Sequence, residues 1–249
     1  MSAIKKTLLE IVQGILSDID SEPVNSLSDS NEAEQIARIV EDTFYDLITT
    51  RDIPEHQELI KLTALSDSNY PTHFSYPTNT KAVACVWYDK SDDSTFEYRE
   101  IKWVEPEEFL WRTDKVQSDY TSVSDHDGTT RLRIVNNKHP EFYTSFDDQY
   151  IVMNSHKSSV DSTLQESKVR ALGVKLPTFV STDDDHVPDL DGVYFPLLIS
   201  ESRARAMDWF KGGVTQKAEQ AARRVRAKTP VNKYNTDRPN QRVDYGRKR

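Results

Sequence analysis

Cysteine is nearly missing from this chain: Cys85 is the one residue of its type among 249. A single thiol excludes an internal disulfide and a multi-thiolate metal site. Cys85 lies in the apolar run Ala82-Val83-Ala84-Cys85-Val86-Trp87-Tyr88, which predicts a strand and a packed core thiol, not a nucleophile. Glycine is scarce too, at seven residues, so a loop that cradles a phosphate is not expected. No apolar run approaches the ~20 residues that span a bilayer. Lys5 and Lys6 precede a helical stripe and not the continuous apolar block of a signal peptide. Gly-x-Ser-x-Gly, His-Glu-x-x-His and phosphate-loop patterns are missing, and the expectation is of no enzyme and no cofactor.

Charge is plentiful but unevenly placed. The net charge is −9, from 32 basic and 41 acidic residues. From Arg223 to Arg249 there are ten basic and two acidic residues, or +8, which leaves −17 for everything before. An acidic body thus carries a basic tail. With 36% hydrophobic and 29% charged residues, the body has a modest core under a large polar surface. That balance suits a subunit completed by its neighbours.

The first fifth of the chain is the most regular. Ile4, Leu8, Ile11, Ile15 and Ile19, widened by Val12 and Leu16, recur at three- and four-residue spacing, the period of a helix with one buried face. Ile36, Ile39, Val40, Phe44, Leu47 and Ile48 repeat the pattern in a second helix. Ser30 or Asn31 is placed to cap it, and Glu32 and Glu34 suit its dipole. Pro23 prevents one continuous helix, Val24 and Leu27 offer apolar pins for the joint, and so short a link makes the helices antiparallel.

The joint also carries a resemblance. Ile15, Leu16, Ile19, Glu22, Pro23, Val24, Ser26 and Leu27, followed by Ala33, Ala37, Arg38, Ile39 and Val40, resemble the opening of the head–tail adaptor family of short-tailed phages, also called tail tubular protein A. The departure is at Asp20 and Ser21, where that family usually has a turn glycine. Beyond residue 51 the resemblance is one of layout only.

Farther along, Lys81–Tyr88 and Thr95–Val104 read as strands, and residues 105–112, with Pro106 in the first turn, as a short helix. Residues 113–130 read as a polar loop. Three short strands follow, over 132–135, 141–145 and 149–153, with a hairpin turn at Phe146-Asp147-Asp148-Gln149. The stretch from Val160 to Gly173 is helix-compatible. From Val193 to about Ala227 a helical stripe runs through Leu197, Leu198, Met207, Trp209, Phe210 and Ala222, with a break expected at Gly212-Gly213. Trp209 and Phe210 read as core. After Pro230 the chain is polar, basic and expected to be extended.

The expected fold class is therefore α+β: an N-terminal helical hairpin packed on a long C-terminal helix, with an inserted small antiparallel β-sheet and an extended basic tail. The expected domains are 1–55 (hairpin), 56–160 (β-rich insertion), 161–228 (C-terminal helices) and 229–249 (tail).

Two groups of side chains invite a chemical reading. Asp183, Asp184, Asp185 and His186, with Asp189 and Asp191, are oxygen-rich, but consecutive Asp side chains diverge and no calcium-loop glycine is present, so a solvated loop is expected. His126 between two Asp, and His156, have no paired ligand at metal spacing. In the tail, bases interleaved with Tyr234 and Tyr245 could lie along an acidic protein groove or bind nucleic acid.

The resemblance implies a structural virion protein: a connector ring between the portal and the tail of a podovirus, twelve-fold by family, which extends the DNA channel for genome retention and ejection. The implied partners are the portal ring, further copies of the chain, a tail nozzle of the tail tubular protein B type, and tail fibres, with DNA passing unbound and no membrane involved. The implied place is the virion neck, assembled in the host bacterial cytoplasm. The candidate portal-binding residues are Arg223, Arg224, Arg226, Lys228, Lys233, Tyr234, Arg238, Arg242, Tyr245 and Arg247. Trp103, Phe109 and Trp111 are candidate subunit or tail contacts, with ordinary core packing the equal alternative. The alternative is a nucleic-acid-binding protein that uses the basic arm.

Overall fold

The computed structural model describes residues 5–51, 53–65, 70–91, 95–114, 119–125, 129–157, 159–160, 166–212 and 216–229. The chain divides into a helical unit, residues 1–56 with 177–249, and a sheet unit, residues 57–176.

In the helical unit, α1 (Leu8–Asp18) buries Leu8, Ile11, Val12, Ile15 and Leu16, as the spacing requires. Thr7 and Glu10 close a capping box at its start. At its end Asp20 takes a left-handed φ of 59° and the Ser21 amide donates to Leu16 O at 3.0 Å, the geometry that usually selects glycine. Asp tolerates this conformation better than most residues, so the non-glycine turn is workable. A short 3₁₀ turn (Leu27–Asp29) is capped by Ser26 and leads into α2 (Asn31–Thr50), capped by Ser30, whose Oγ accepts from the Ala33 amide at 3.1 Å. Val24 and Leu27 are both buried.

The sheet unit contains β1 (Gln57–Ile60), β2 (Thr63–Ala64), β3 (His73–Ser75), β4 (Thr80–Asp89), β5 (Tyr98–Trp103), α3 (Pro106–Thr113), β6 (Tyr120–Ser124), β7 (Arg131–Asn136), β8 (Phe142–Thr144), β9 (Tyr150–Met153), β10 (Ser155–His156) and β11 (Val169–Lys175). Eight strands form one sheet in the order β1-β11-β4-β5-β8-β9-β3-β2, and β10-β7-β6 form a second. The two edges of the large sheet, β1 and β2, are neighbours in sequence, separated by Lys61 and Leu62 alone. Laid flat, eight strands would hold those edges about 34 Å apart. Three Cα steps from Ile60 to Thr63 cover at most about 11 Å. The sheet must therefore curl, and it forms a half-barrel. Inside lie Leu62, Phe74, Val86, Tyr88, Ile101, Ile151, Met153 and Ala171, all at most 2% exposed. A second core joins α3 to the smaller sheet through Phe109, Val123, Leu132 and Ile134.

The chain then returns to the helical unit through α4 (Phe195–Lys211) and α5 (Gln216–Lys228). Gly212, with φ of 66°, ends α4. α4 packs on α1, α2 and α5, with Leu197, Leu198 and Ala206 buried.

The expected architecture is corrected in several places. The class is α+β, but a curled eight-stranded sheet dominates it, not a small antiparallel insertion on a helical body. The sheet is also mixed, since β5 pairs with β8 in parallel. The C-terminal helical stripe is two helices, not one long helix, and they part at Gly212, where the break is expected. Strand β11 (Val169–Lys175), placed between β1 and β4, takes up residues 169–173 of the stretch read as helix-compatible. Its alternation is blurred by register shifts at Leu172/Gly173 and Val174/Lys175, so pairing partners and not local period decide its form. Residues 120–124, inside the expected loop, are strand β6 for the same reason. The expected extended tail, 230–249, lies outside the described residues.

Candidate functional site

The acidic loop does structural work. The first amides of a helix lack intrahelical acceptors. Here Leu8 N donates to His186 O at 2.7 Å and Leu9 N to Asp184 O at 3.3 Å. The Asp184 carboxylate accepts from Leu27 N at 2.8 Å, at the start of the 3₁₀ turn. One short segment therefore caps two N-termini of the hairpin. His186 sits edge-on to Phe179 with centroids 4.6 Å apart, and Phe179 packs on Phe44. Farther on, His56 Nε2 donates to Asp189 O at 2.8 Å. Burial, and secondarily the Asp191 charge, raise the Glu55 carboxyl above its usual range. Among the described residues no three His, Cys, Asp or Glu side chains gather as metal ligands would. His126 lies outside the described residues. Burial lowers the His156 pKa and raises that of the Cys85 thiol, which keeps both neutral near pH 7.

Ion pairs tie the hairpin to α4. Lys211 Nζ lies 2.9 Å from Asp20 Oδ2, and that hydrogen bond and charge hold the carboxyl below its usual range. Arg203 makes a close charge contact with Asp18, and Arg205 pairs with Asp46.

The basic segment begins as ordered helix. Arg223 pairs with Glu219 one turn earlier. Arg226 holds Glu201 of α4 with two nitrogens, each at 2.9 Å. Arg51 Nη1 donates to Thr229 O at 3.1 Å, and Thr229 is buried. Two arginines, Arg226 and Arg51, thus hold the end of α5 and the Thr229 that follows it. Arg224 and Lys228, one turn apart, are exposed. Lys233, Tyr234, Arg238, Arg242, Tyr245 and Arg247 lie outside the described residues.

The three candidate contact aromatics divide. Phe109 is fully buried, edge-on to Phe142 and Phe146 with centroids 5.5 and 5.8 Å apart, and so belongs to the chain's own core. Trp103 and Trp111 are 48% and 74% exposed. Trp209, read as core, is 75% exposed and borders a cleft of about 560 Å³ with Arg38, Ile39, Asp42 and Asp208. A stripe read at one residue per 100° cannot distinguish the seam against a neighbouring helix from its outer margin. Two surface features escaped the sequence reading. Leu59, on edge strand β1, is 68% exposed. Arg170 stacks between Trp87 and Tyr98, 3.8 Å above the Tyr98 ring; alternate strand positions on paired strands would have signalled it, had the pairing been known.

No protein-family model matches the chain, and no curated protein is detectably similar to it. Among the described residues no helix is long and apolar enough to cross a membrane.

Proposed function

We propose that the chain is a structural virion protein, a head–tail adaptor whose copies form a ring between the portal and the tail of a short-tailed phage. The observation that carries this reading is the joint of the helical hairpin. Glu22-Pro23-Val24-Asn25-Ser26-Leu27 resembles the family's joint, and the residues that resemble it have a physical task here: Val24 and Leu27 are buried and Ser26 caps the turn. The charge asymmetry supports the same reading. A basic segment follows the held Thr229 in sequence, and its charge suits an acidic groove on a symmetric partner. Many tails docking together give a multivalent attachment stronger than any single contact. An acidic channel wall would repel DNA and ease its passage. On this reading the protein is not an enzyme, works without a cofactor, and resides in the virion neck.

The test is attachment. A chain lacking residues 230–249 should keep its fold by circular dichroism and fail to join portal-bearing heads, whereas the full chain joins portal rings at about one copy per portal subunit by light scattering. Attachment by the truncated chain would overturn the docking role. A full chain indifferent to portal rings, yet binding DNA with an affinity that falls steeply with salt, would favour the nucleic-acid reading.

A further inference from the structure

Tyr120, Val135 and Ser155 lie directly opposite one another across the small sheet, one residue from each of β6, β7 and β10. Residues opposite on paired strands share a face, and these three line a cleft of about 370 Å³ within the sheet unit. Two buried polar side chains of the cleft have hydrogen-bonding capacity left over. Ser155 is 2% exposed, and its Oγ has no partner among the described residues. Asn154 is 5% exposed, and its Oδ1 accepts from the Glu141 amide at 2.9 Å and the Phe142 amide at 3.1 Å. Those two donors fix the side-chain amide, because turning it over would set NH2 against N–H. Its Nδ2 then donates to nothing among the described residues. Buried polar groups of a folded chain are normally paired, so this adjacent pair marks a place for an acceptor from outside the chain.

The charges around it are balanced. Arg112 and Lys138 line the cleft with Asp119 and Glu141, two of each sign. Arg112 is paired with Glu108, and Lys138 lies 3.8 Å from Asp119. Glu141 is exposed and forms no ion pair among the described residues. Such a lining favours neither a bare anion nor a bare cation. What it leaves unspent is two donors at Asn154 and Ser155 and one carboxylate beside them.

We propose that this cleft binds a free α-amino acid, whose carboxylate accepts from Asn154 Nδ2 and Ser155 Oγ while its ammonium donates to the Glu141 carboxylate. An α-amino acid carries both groups on one carbon, and Glu141 and Asn154 are held side by side by the 2.9 Å bond between them. Hydrogen bonds to charged groups are the strong ones, and a zwitterion suits a lining of zero net charge. The volume lies at the small end of ligand sites, which run from about 300 to 1,000 Å³. The site shares no residue with the segment proposed to dock on a portal, so it stands or falls apart from the adaptor reading.

The test titrates the full chain with each common α-amino acid singly and follows the side-chain NH2 resonances of Asn154, identified by their loss in Asn154→Asp. The expected result is that at least one amino acid shifts them saturably. Its deaminated carboxylate and its decarboxylated amine each lack one pole and should bind about tenfold more weakly or worse, the worth of a hydrogen bond to a charged group. Affinities of the variants are read by calorimetry. Ser155→Ala removes a hydroxyl that bonds nothing among the described residues, so it should leave the unfolding midpoint in place and raise Kd about tenfold. Asn154→Asp keeps an acceptor for the Glu141 and Phe142 amides but sets a carboxylate against the ligand's own, and it should abolish binding. No saturable shift with any amino acid would overturn the proposal. So would a one-poled analogue that binds as well as the amino acid, or an affinity that either variant leaves unchanged.

Discussion

The helical unit and the sheet unit are similar in length but differ in what holds them. In the helical unit, α1 and α2 carry their own instructions: a period and a side-chain cap within about twenty residues. In the sheet unit, a strand such as β11 has two partners, β1 and β4, that lie more than eighty residues back along the chain. Local sequence is therefore a good guide to the first unit and a poor one to the second. The comparison also has a converse. The helical unit depends at one point on a remote residue, Asp184, and the sheet unit contains a helix, α3, that its own Pro106 and acidic first turn predict.

The largest expected effect probes the sheet unit. A Cβ at Gly173 would lie 2.6 Å from Ile60 Cδ1 and 3.0 Å from Ala82 O, between both partner strands. Gly173→Val should destabilise the protein by about 1–3 kcal/mol or more. Hydrogen exchange should lose protection over β1, β4 and β11 while α2 keeps its own. Equal loss in α2 would mean that the two units unfold as one block, and the contrast between them would fail.

Next comes the remote cap of the helical unit. Asp184→Ala leaves the Leu27 amide without its acceptor and should cost about 1–2 kcal/mol in urea unfolding. Asp184→Asn keeps an acceptor oxygen and should cost less. If both changes were silent, the hairpin would be locally sufficient and its dependence on residues 184–186 would be incidental.

The smallest effect is a pH dependence in the sheet unit. Burial lowers the pKa of His156 from its ordinary 6.5, so the unfolded chain binds the proton more readily than the folded one. His156 therefore costs nothing above pH 6.5 and erodes stability as pH falls below it. Because the ring is only half-buried, the loss should stay under about 1 kcal/mol. Comparing unfolding midpoints at pH 8 and pH 5 for the native chain and for His156→Gln checks it; the variant should show the shallower decline.

Much of the helical unit was legible. Leu8 to Leu16 and Ile36 to Ile48 announce their buried faces, and Ser30, Pro23 and Glu32 mark where the helices break. The breakpoint at Gly212 was legible too. Trp209 was misplaced because a periodic stripe says which side is apolar but not how far a neighbouring helix covers it. Phe109 and Trp111 show the same limit two residues apart: both are aromatic, both lie on α3, and only the packing of Phe142 and Phe146 separates core from surface. The acidic segment 183–191 was visible as a cluster, but its task was not, because the amides it caps belong to Leu8, Leu9 and Leu27.

By itself the sequence determined whatever acts within a turn or two of chain: the hairpin and its joint, the caps of α1 and α2, the short helix after Pro106 and the charge asymmetry. Tertiary structure alone decided the curl of the large sheet, the strand identity of Val169–Lys175 and the exposure of Trp111 and Trp209. The physical reason is range. Helix hydrogen bonds close within four residues, whereas strand pairing and burial depend on partners that the chain supplies only after it has folded.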